Sequence, residues 1–519
     1  MPPPPVIGDG TPKAGVLRRI FGNTARLSGG HGLAAVLGIA AIALAARTLG
    51  GTTFGELVVV QAYALTIAGI CRFNAGGVLV RFGAICLGAD RKRDFQGLLL
   101  LVLLLDLASA LAALGLAQLL LAPLLPLLGW SSELEAFARP YLAIILFAQS
   151  ATPLAVLRLL DRFDLVAGQR AVLPAVRLLG VFLAILAGGG LWAVGAAWFA
   201  ANLLDNLVAW GLALRELGRR RLLEGAEFRL RGLVRPHPGL WRMLIAVNLR
   251  GTLGLVSNRI GTLVVGAMLD PRMAGIYQLA LQIAGALERV AEMVRKALEP
   301  ELARLVAAGA LRRARRAALR LSAAATAIGW PLLALAAWFA RPLLELLGGP
   351  DFGEGGTVLV LLLLQQAAAL ASLPAATVLV MRGKVGGLLR VSATARALFL
   401  ALLLLAIPQL ALAGAGLAAA LAGWIEASWL SFLALRALRP PPRPPTPPAA
   451  RPCGGVGAAG GFGQSGAGAR RTAPGRRAPC PSPKPCGRRS GPCSAGSSNC
   501  PSTVNSPPAG CRANVSSTT

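Results

Sequence analysis

Arg47-Thr48-Leu49-Gly50-Gly51-Thr52-Thr53-Phe54-Gly55 separates two apolar runs, Gly32 to Ala46 and Leu57 to Ile70. Gly50, Gly51 and Gly55 tolerate backbone angles that other residues resist, so a tight turn is cheap here. The pattern predicts a helix hairpin, one span crossing a membrane and the next returning. A related segment stands near the middle of the chain: Leu269-Asp270-Pro271-Arg272-Met273-Ala274-Gly275-Ile276-Tyr277. Laid over the first, it puts Leu269 on Leu49 and Gly275 on Gly55. An opening hairpin repeated at the midpoint predicts two similar halves.

Composition sets the solvent. The 519 residues are 55% hydrophobic and only 14% charged, where soluble domains carry about 25% charged residues. Apolar runs of ~20 residues, long enough to cross ~30 Å of hydrocarbon, recur from Gly32 to Leu435. The ~10-residue alternating segments of a membrane barrel are absent. The chain reads as an all-α polytopic membrane protein of about twelve helices in two pseudo-symmetric six-helix bundles.

The formal charge of +30 does not make it a nucleic-acid binder once the charges are placed. Basic residues concentrate at the ends of the apolar runs and in the C-terminal tail. Alternate loops are basic: Arg91-Lys92-Arg93, Arg162, Arg219-Arg220-Arg221, Arg312 to Arg316, and Arg382 with Lys384. The others hold little beyond Arg47, Arg139, Arg272 and Arg341. Under the positive-inside rule this alternation places both termini on the cytoplasmic side of the membrane. The proline-rich start, Met1 to Gly10, lacks a signal-peptide core, leaving the first span as the insertion signal.

The expected organisation is an N-terminal arm (1–25), a first bundle (26–214), a basic linker (215–242), a second bundle (243–439) and a tail (440–519). Span 2 is expected over 53–80, span 3 over 95–121 before a loop from Pro123 to Pro140, and span 4 over 141–160. Spans 5 and 6 are expected over 171–186 and 191–214, spans 7 and 8 over 243–269 and 275–298. Residues 299–320 read as a basic amphipathic stretch ahead of span 9. Spans 10, 11 and 12 are expected over 357–381, 388–407 and 411–435. The tail has no Leu, Ile, Asp, Glu, Met, Trp, Tyr or His and cannot bury enough apolar surface to fold. Its composition fits a frameshifted read of GC-rich DNA, a reading that resequencing tests: an intact frame through Thr519 would end it. The two histidines and the scattered cysteines form no cluster with metal-ligand spacing, and no cofactor is expected.

Arg47-x-Leu49-Gly50-x-x-x-Phe54-Gly55, followed after a span by Leu79-Val80-Arg81, resembles the start of the polysaccharide-biosynthesis flippases, the Wzx-type O-antigen and exopolysaccharide transporters of the MATE-like MOP superfamily. Asn248-Leu249-Arg250, Leu269-Asp270-Pro271-x-x-x-Gly275-x-Tyr277, Pro300-Glu301-Leu302-Ala303-Arg304, Leu343 through Phe352 and Met381-Arg382-Gly383-Lys384 follow in family order. The resemblance implies two bundles facing a central cavity and working by alternating access. The implied cargo is an undecaprenyl-diphosphate-linked oligosaccharide, turned from the cytoplasmic to the periplasmic leaflet. Membrane lipid, and a glycan polymerase or ligase, would be its partners. Relatives often carry an acid where Arg72-Phe73-Asn74-Ala75-Gly76 and Asn258-Arg259 stand here, a departure that bears on ion coupling rather than on fold.

Charges inside spans are costly, so each is a candidate. Asn248, Thr252, Arg259 and Thr262 share one helical face of span 7, with Arg250 nearby. Arg259 either grips phosphate oxygens or pairs with Glu288 or Glu292. Asn202 and Asp205 of span 6 either bind sugar hydroxyls or knit helices together. Glu288, Glu292 and Asp106 are candidates for ion coupling, against ion-paired or hydrogen-bonded structural roles. A lipid II flippase or a multidrug/cation antiporter of the same fold are the nearest alternatives. A membrane enzyme such as a glycan polymerase or glycosyltransferase would need acid/base clusters that the short outward loops lack.

Overall fold

The computed structural model describes residues 14–73, 75–148, 151–225, 240–241, 244–245 and 259–438. Within them the chain is helical: α1 (Ala14–Cys71), α2 (Gly76–Gly88), α3 (Lys92–Leu128), α4 (Ser132–Tyr141), α5 (Ala151–Leu159), α6 (Phe163–Gln169), α7 (Val172–Leu186) and α8 (Leu191–Arg219). There follow α9 (Arg259–Met268), α10 (Pro271–Ala307), α11 (Leu311–Trp338), α12 (Ala340–Gly348), α13 (Gly356–Ala371), α14 (Leu373–Met381) and α15 (Val385–Ala437).

Among the described residues, eight helical stretches are long and apolar enough to cross a membrane. Two of them count double. The apolar part of α1 has 40 residues and α15 has 53, about 60 and 80 Å of helix at ~1.5 Å per residue, against a hydrocarbon core of ~30 Å. Each reverses at a non-helical residue: Gly50 (φ 74°, ψ 170°) in α1 and Ala411 (φ 48°, ψ −133°) in α15. With α9 and α10 supplying a hairpin of their own, the architecture is that of a polytopic bundle of about twelve spans.

The two predicted hairpin turns meet. A Cβ on Gly55 would lie 1.8 Å from the Pro271 carbonyl oxygen, and one on Gly275 would lie 3.1 Å from Gly55 Cα. The residues that the repeat equates therefore face each other. The Asp270-Pro271 pair has a local cause: the Asp270 carboxylate accepts from the Met273 amide at 2.7 Å and Pro271 occupies the first turn of α10, an N-cap followed by proline. The α12–α13 connection closes over both turns. Arg47 donates to the Leu346 carbonyl, Arg272 reaches Glu354 at 3.0 Å, and Phe54 packs on Phe352 with centroids 6.0 Å apart. A continuous core runs from Ile42, Leu57 and Tyr63 through Phe137 and Trp198 to Tyr277, Leu359 and Leu403.

Several span boundaries differ from expectation, each through packing or proline. The second leg of α1 stops at Cys71 and α2 restarts at Gly76, whose missing side chain lets the backbone approach the Ala151 carbonyl, 3.2 Å from a would-be Cβ. Helix α3 does not end at Leu121 but continues through Pro123 and Pro126 to a left-handed Gly129. The expected loop that follows contains α4, capped by Ser131. Span 4 is not one helix: α4 passes into a 3-10 turn over Leu142–Leu146 before α5. Span 10 breaks at Ser372, where Pro374 opens α14. The basic stretch 299–320 is divided by Gly309 (φ 67°). Beyond it Leu311, Ala314 and Ala318 are buried while Arg312, Arg313, Arg315 and Arg316 face outward.

Candidate functional site

A cavity of about 340 Å³ opens between the two legs of α1, the α6–α8 region, α9 and α10. Three arginines line it: Arg170 just after α6, Arg177 on α7 and Arg259 at the start of α9. Four amides join them, Gln61, Asn202, Gln278 and Gln282, and no carboxylate is among the described lining residues. Because α1 and the α6–α8 region precede the midpoint of the chain and α9 and α10 follow it, both halves contribute to the site.

Both packing and charge act on the arginines: Asp205 of α8 attracts Arg177 electrostatically. The Arg177 guanidinium lies over the Trp198 ring, 4.8 Å from its centroid, a cation–π contact that fixes its plane without cancelling its charge. Arg177 and Arg259 are near enough to repel one another. Arg177 Nε and Trp198 Nε1 are buried and have no hydrogen-bond partner among the described residues. The amides are partly positioned by the protein. Thr262 donates to Gln278 at 3.2 Å, and Asn202 donates to the Trp198 carbonyl at 2.8 Å.

Of the residues singled out from the sequence, Arg259 and Asn202 line the cavity, and Thr262 is buried beside it. Asp205, one turn from Asn202, does not line it and instead accepts from Gln169 at 2.8 Å. Asn248, Arg250 and Thr252 lie outside the described residues, as do the side chains of Glu288 and Glu292. Asp106 is not solitary: Thr152 of α5 donates to it, and Arg72 acts on it electrostatically. Arg47, Leu49, Gly50, Phe54, Gly55 and Gly275 build the meeting turns, and Tyr277 is fully buried in the core. Arg81 sits on the exposed side of α2.

Sequence reasoning missed Arg170 and Arg177. The signal existed for Arg177, a charge in the middle of an otherwise apolar fifteen-residue helix, which by the rule applied to the other spans marks a functional candidate. Also missed were Arg396 and Glu426, which stand in the two legs of α15.

Comparison with known proteins places this geometry in context. The model of a family described as "Polysaccharide biosynthesis protein" matches residues 20–306. The chain is 29% identical over 291 residues to "Inner membrane protein YghQ" of Escherichia coli (strain K12), covering 56% of this chain and 82% of that one. Among solved structures it resembles "Lipid II flippase MurJ, inward closed conformation" with a TM-score of 0.61 at 12% identity, over 79% of this chain and 88% of that one. The MATE multidrug transporter DinF-BH gives 0.60 at 16% identity, over 82% and 97%. A mutant of the Vibrio cholerae MATE transporter VcmN gives 0.56 at 18% identity, over 82% and 97%. These likenesses establish the fold, that of the MATE and MurJ transporters.

Proposed function

The chain belongs to the polysaccharide biosynthesis protein family, and from that membership we propose that it is an inner-membrane flippase for an undecaprenyl-diphosphate-linked oligosaccharide. The observation that carries the reading is the cavity lined by Arg170, Arg177 and Arg259 with no acid among its described lining residues. Arg177 and Arg259 repel one another, and a diphosphate relieves that repulsion while accepting forked hydrogen bonds. The Gln61, Asn202, Gln278 and Gln282 amides suit sugar hydroxyls, which both donate and accept. A space of about 340 Å³ is at the small end of ligand pockets. It has room for the diphosphate and the sugar next to it, and leaves the prenyl chain in the bilayer, its natural solvent.

The cycle follows from the hairpins. The Gly50–Gly55 and Asp270–Gly275 turns touch one another, and in this reading their contact is the gate that closes the periplasmic end of the cavity. Opposite lie the basic loops, which the positive-inside rule assigns to the cytoplasm. Cargo enters from the cytoplasmic leaflet, the turns part, and the headgroup leaves to the periplasm. A lipid II flippase would use the same chemistry on another glycan. An antiporter of cationic drugs is disfavoured, because an incoming cation would meet three arginines and no acid among the described lining residues.

Binding of undecaprenyl diphosphate to the protein in nanodiscs tests the reading. Arg177→Ala and Arg259→Ala should each weaken it by about 10- to 150-fold, the equivalent of about 1.5–3 kcal/mol for a charge-assisted hydrogen bond. Lysine at either position should recover part of the loss, since it keeps the charge but not the fork. Wild-type affinity in both alanine variants would contradict it.

A further inference from the structure

A second polar site lies away from the central cavity, within the part of the fold built from α10, α13 and α15. A cavity of about 20 Å³ is lined there by Tyr277, Gln365, Arg396, Phe399, Gly423 and Glu426. Glu426 on the second leg of α15 accepts a hydrogen bond from Ser392 on the first leg at 2.9 Å. Its other oxygen stands 3.5 Å from Arg396 Nη2. Arg396 and Glu426 each lie about 17 Å of helix from the nearer α15 end, Val385 or Ala437. That is roughly the middle of a ~30 Å hydrocarbon core.

An ion pair at that depth is not explained by stability. Desolvating two charges offsets most of their attraction, and a well-packed apolar pair of similar volume serves a core as well or better. The geometry is also loose: a single 3.5 Å contact, where a structural Arg–carboxylate pair favours two parallel bonds. The cavity beside it has room for about one water molecule, a group that can hand a proton to the carboxylate or take one from it. Among the described residues, Arg396 and Tyr277 are the other titratable groups lining that cavity; Ser392, on the same leg as Arg396, and Gln365 from α13 are neutral.

We propose that Glu426 is an exchangeable proton site of this carrier, with Arg396 as its built-in counter-ion. Protonation converts the carboxylate to a neutral acid, removes the attraction to Arg396 and loosens the two legs of α15 from each other; deprotonation restores the pair. The proton enters from water and returns to water, with no other reactant. The link to cargo runs through α10. Tyr277 lines the proton cavity while its neighbour Gln278 lines the central one. The Tyr277 ring is wedged beside Gly261 of α9, its hydroxyl 3.1 Å from where a Cβ would stand, at a spot also touched by Phe399 of α15. A shift between the α15 legs therefore reaches the helices that carry Arg259 and Gln278. This coupling rests on the flippase reading, whereas proton binding at Glu426 does not.

Two measurements on the full chain separate them. Infrared difference spectra of the protein in nanodiscs, between acid and mildly alkaline pH, should show a protonated-carboxyl band that Glu426→Gln removes and Glu426→Asp keeps. In proteoliposomes, a pH gradient should accelerate movement of fluorescent undecaprenyl diphosphate in the wild type. In Glu426→Gln the ratio of rates with and without the gradient should fall to one while gradient-free exchange continues, and Arg396→Gln should alter the pH profile. A band or a gradient response that persists in Glu426→Gln overturns the proposal. If the Glu426 band is present but undecaprenyl diphosphate does not move in the wild type, the proton site stands and the flippase reading falls.

Discussion

Replacing Gly55 by alanine sets a methyl group where the two meeting turns leave no room for one. The added carbon would stand 1.8 Å from the Pro271 carbonyl oxygen and 2.3 Å from its carbon, against the 3.4 Å at which ordinary contact begins. The obstacle is backbone, so no rotamer change removes it; the two turns must part by the difference. Overpacking of this kind costs about 1–3 kcal/mol, and with a rigid obstacle the upper figure applies. The closed population should then fall by about 100-fold relative to the open one. Gly275→Ala is the graded control. Its carbon meets Gly55 Cα and the Phe54 ring edge at 3.1 Å, a deficit of a few tenths of an ångström that should cost under ~1 kcal/mol, about fivefold at most. Spin labels at the exposed positions Thr52 and Asp351, in a cysteine-free background, report closure as a short distance in double electron–electron resonance. The expected order of short-distance population is wild type, then Gly275→Ala, then Gly55→Ala with almost none. A wild-type distribution in Gly55→Ala would show that these turns do not form the seal.

Three further outcomes follow from single contacts. Arg162 bridges Asp164 at 3.0 Å and the buried Glu216 carboxylate. Arg162→Ala should lower the melting temperature by the equivalent of about 1–3 kcal/mol, limited by Arg219, which stays 3.4 Å from Glu216; adding Glu216→Gln should recover most of the loss. Trp198→Phe should fold normally yet weaken undecaprenyl diphosphate binding several-fold, by about 0.5–1 kcal/mol of the contact that orients Arg177. Trp198→Ala should in addition destabilise the fold by about 3–5 kcal/mol; equal binding in wild type and Trp198→Phe would show that the ring is only packing. Residues 1–439 should restore glycan export as well as the full chain does, since residues 440–519 lack the apolar side chains to build a core; a defect in that truncation, at equal protein level, would assign the tail a role.

The span pattern was legible because two independent signals, apolar length and alternating loop charge, agree. The first hairpin was legible because Gly50 adopts an angle that few other residues do. The break at Cys71–Gly76 was not, because it follows from what packs alongside, the Ala151 carbonyl against Gly76; the break at Ser372 carried a signal in Pro374, which opens α14. The site was half legible. Arg259 and Asn202 stood out as polar groups inside spans, and both line the cavity. Arg177, Arg396 and Glu426 carry the same signal but are easily passed over amid many arginines at span ends. Asp205 shows the remaining limit: one turn from Asn202, it faces Gln169 instead, and only the packing of α8 decides which of the two meets the cavity.

If the cavity arginines carry a lipid-linked oligosaccharide across the inner membrane, the leaflet in which that lipid accumulates must depend on them. Periplasmic glycosidase access in spheroplasts of a deletion strain reads that leaflet. Deletion should trap the oligosaccharide on the cytoplasmic side, and the wild-type gene should release it. The double variant Arg177→Ala/Arg259→Ala should not, despite normal protein levels. Lipid-linked oligosaccharide reaching the periplasm normally in the deletion strain would overturn the flippase reading.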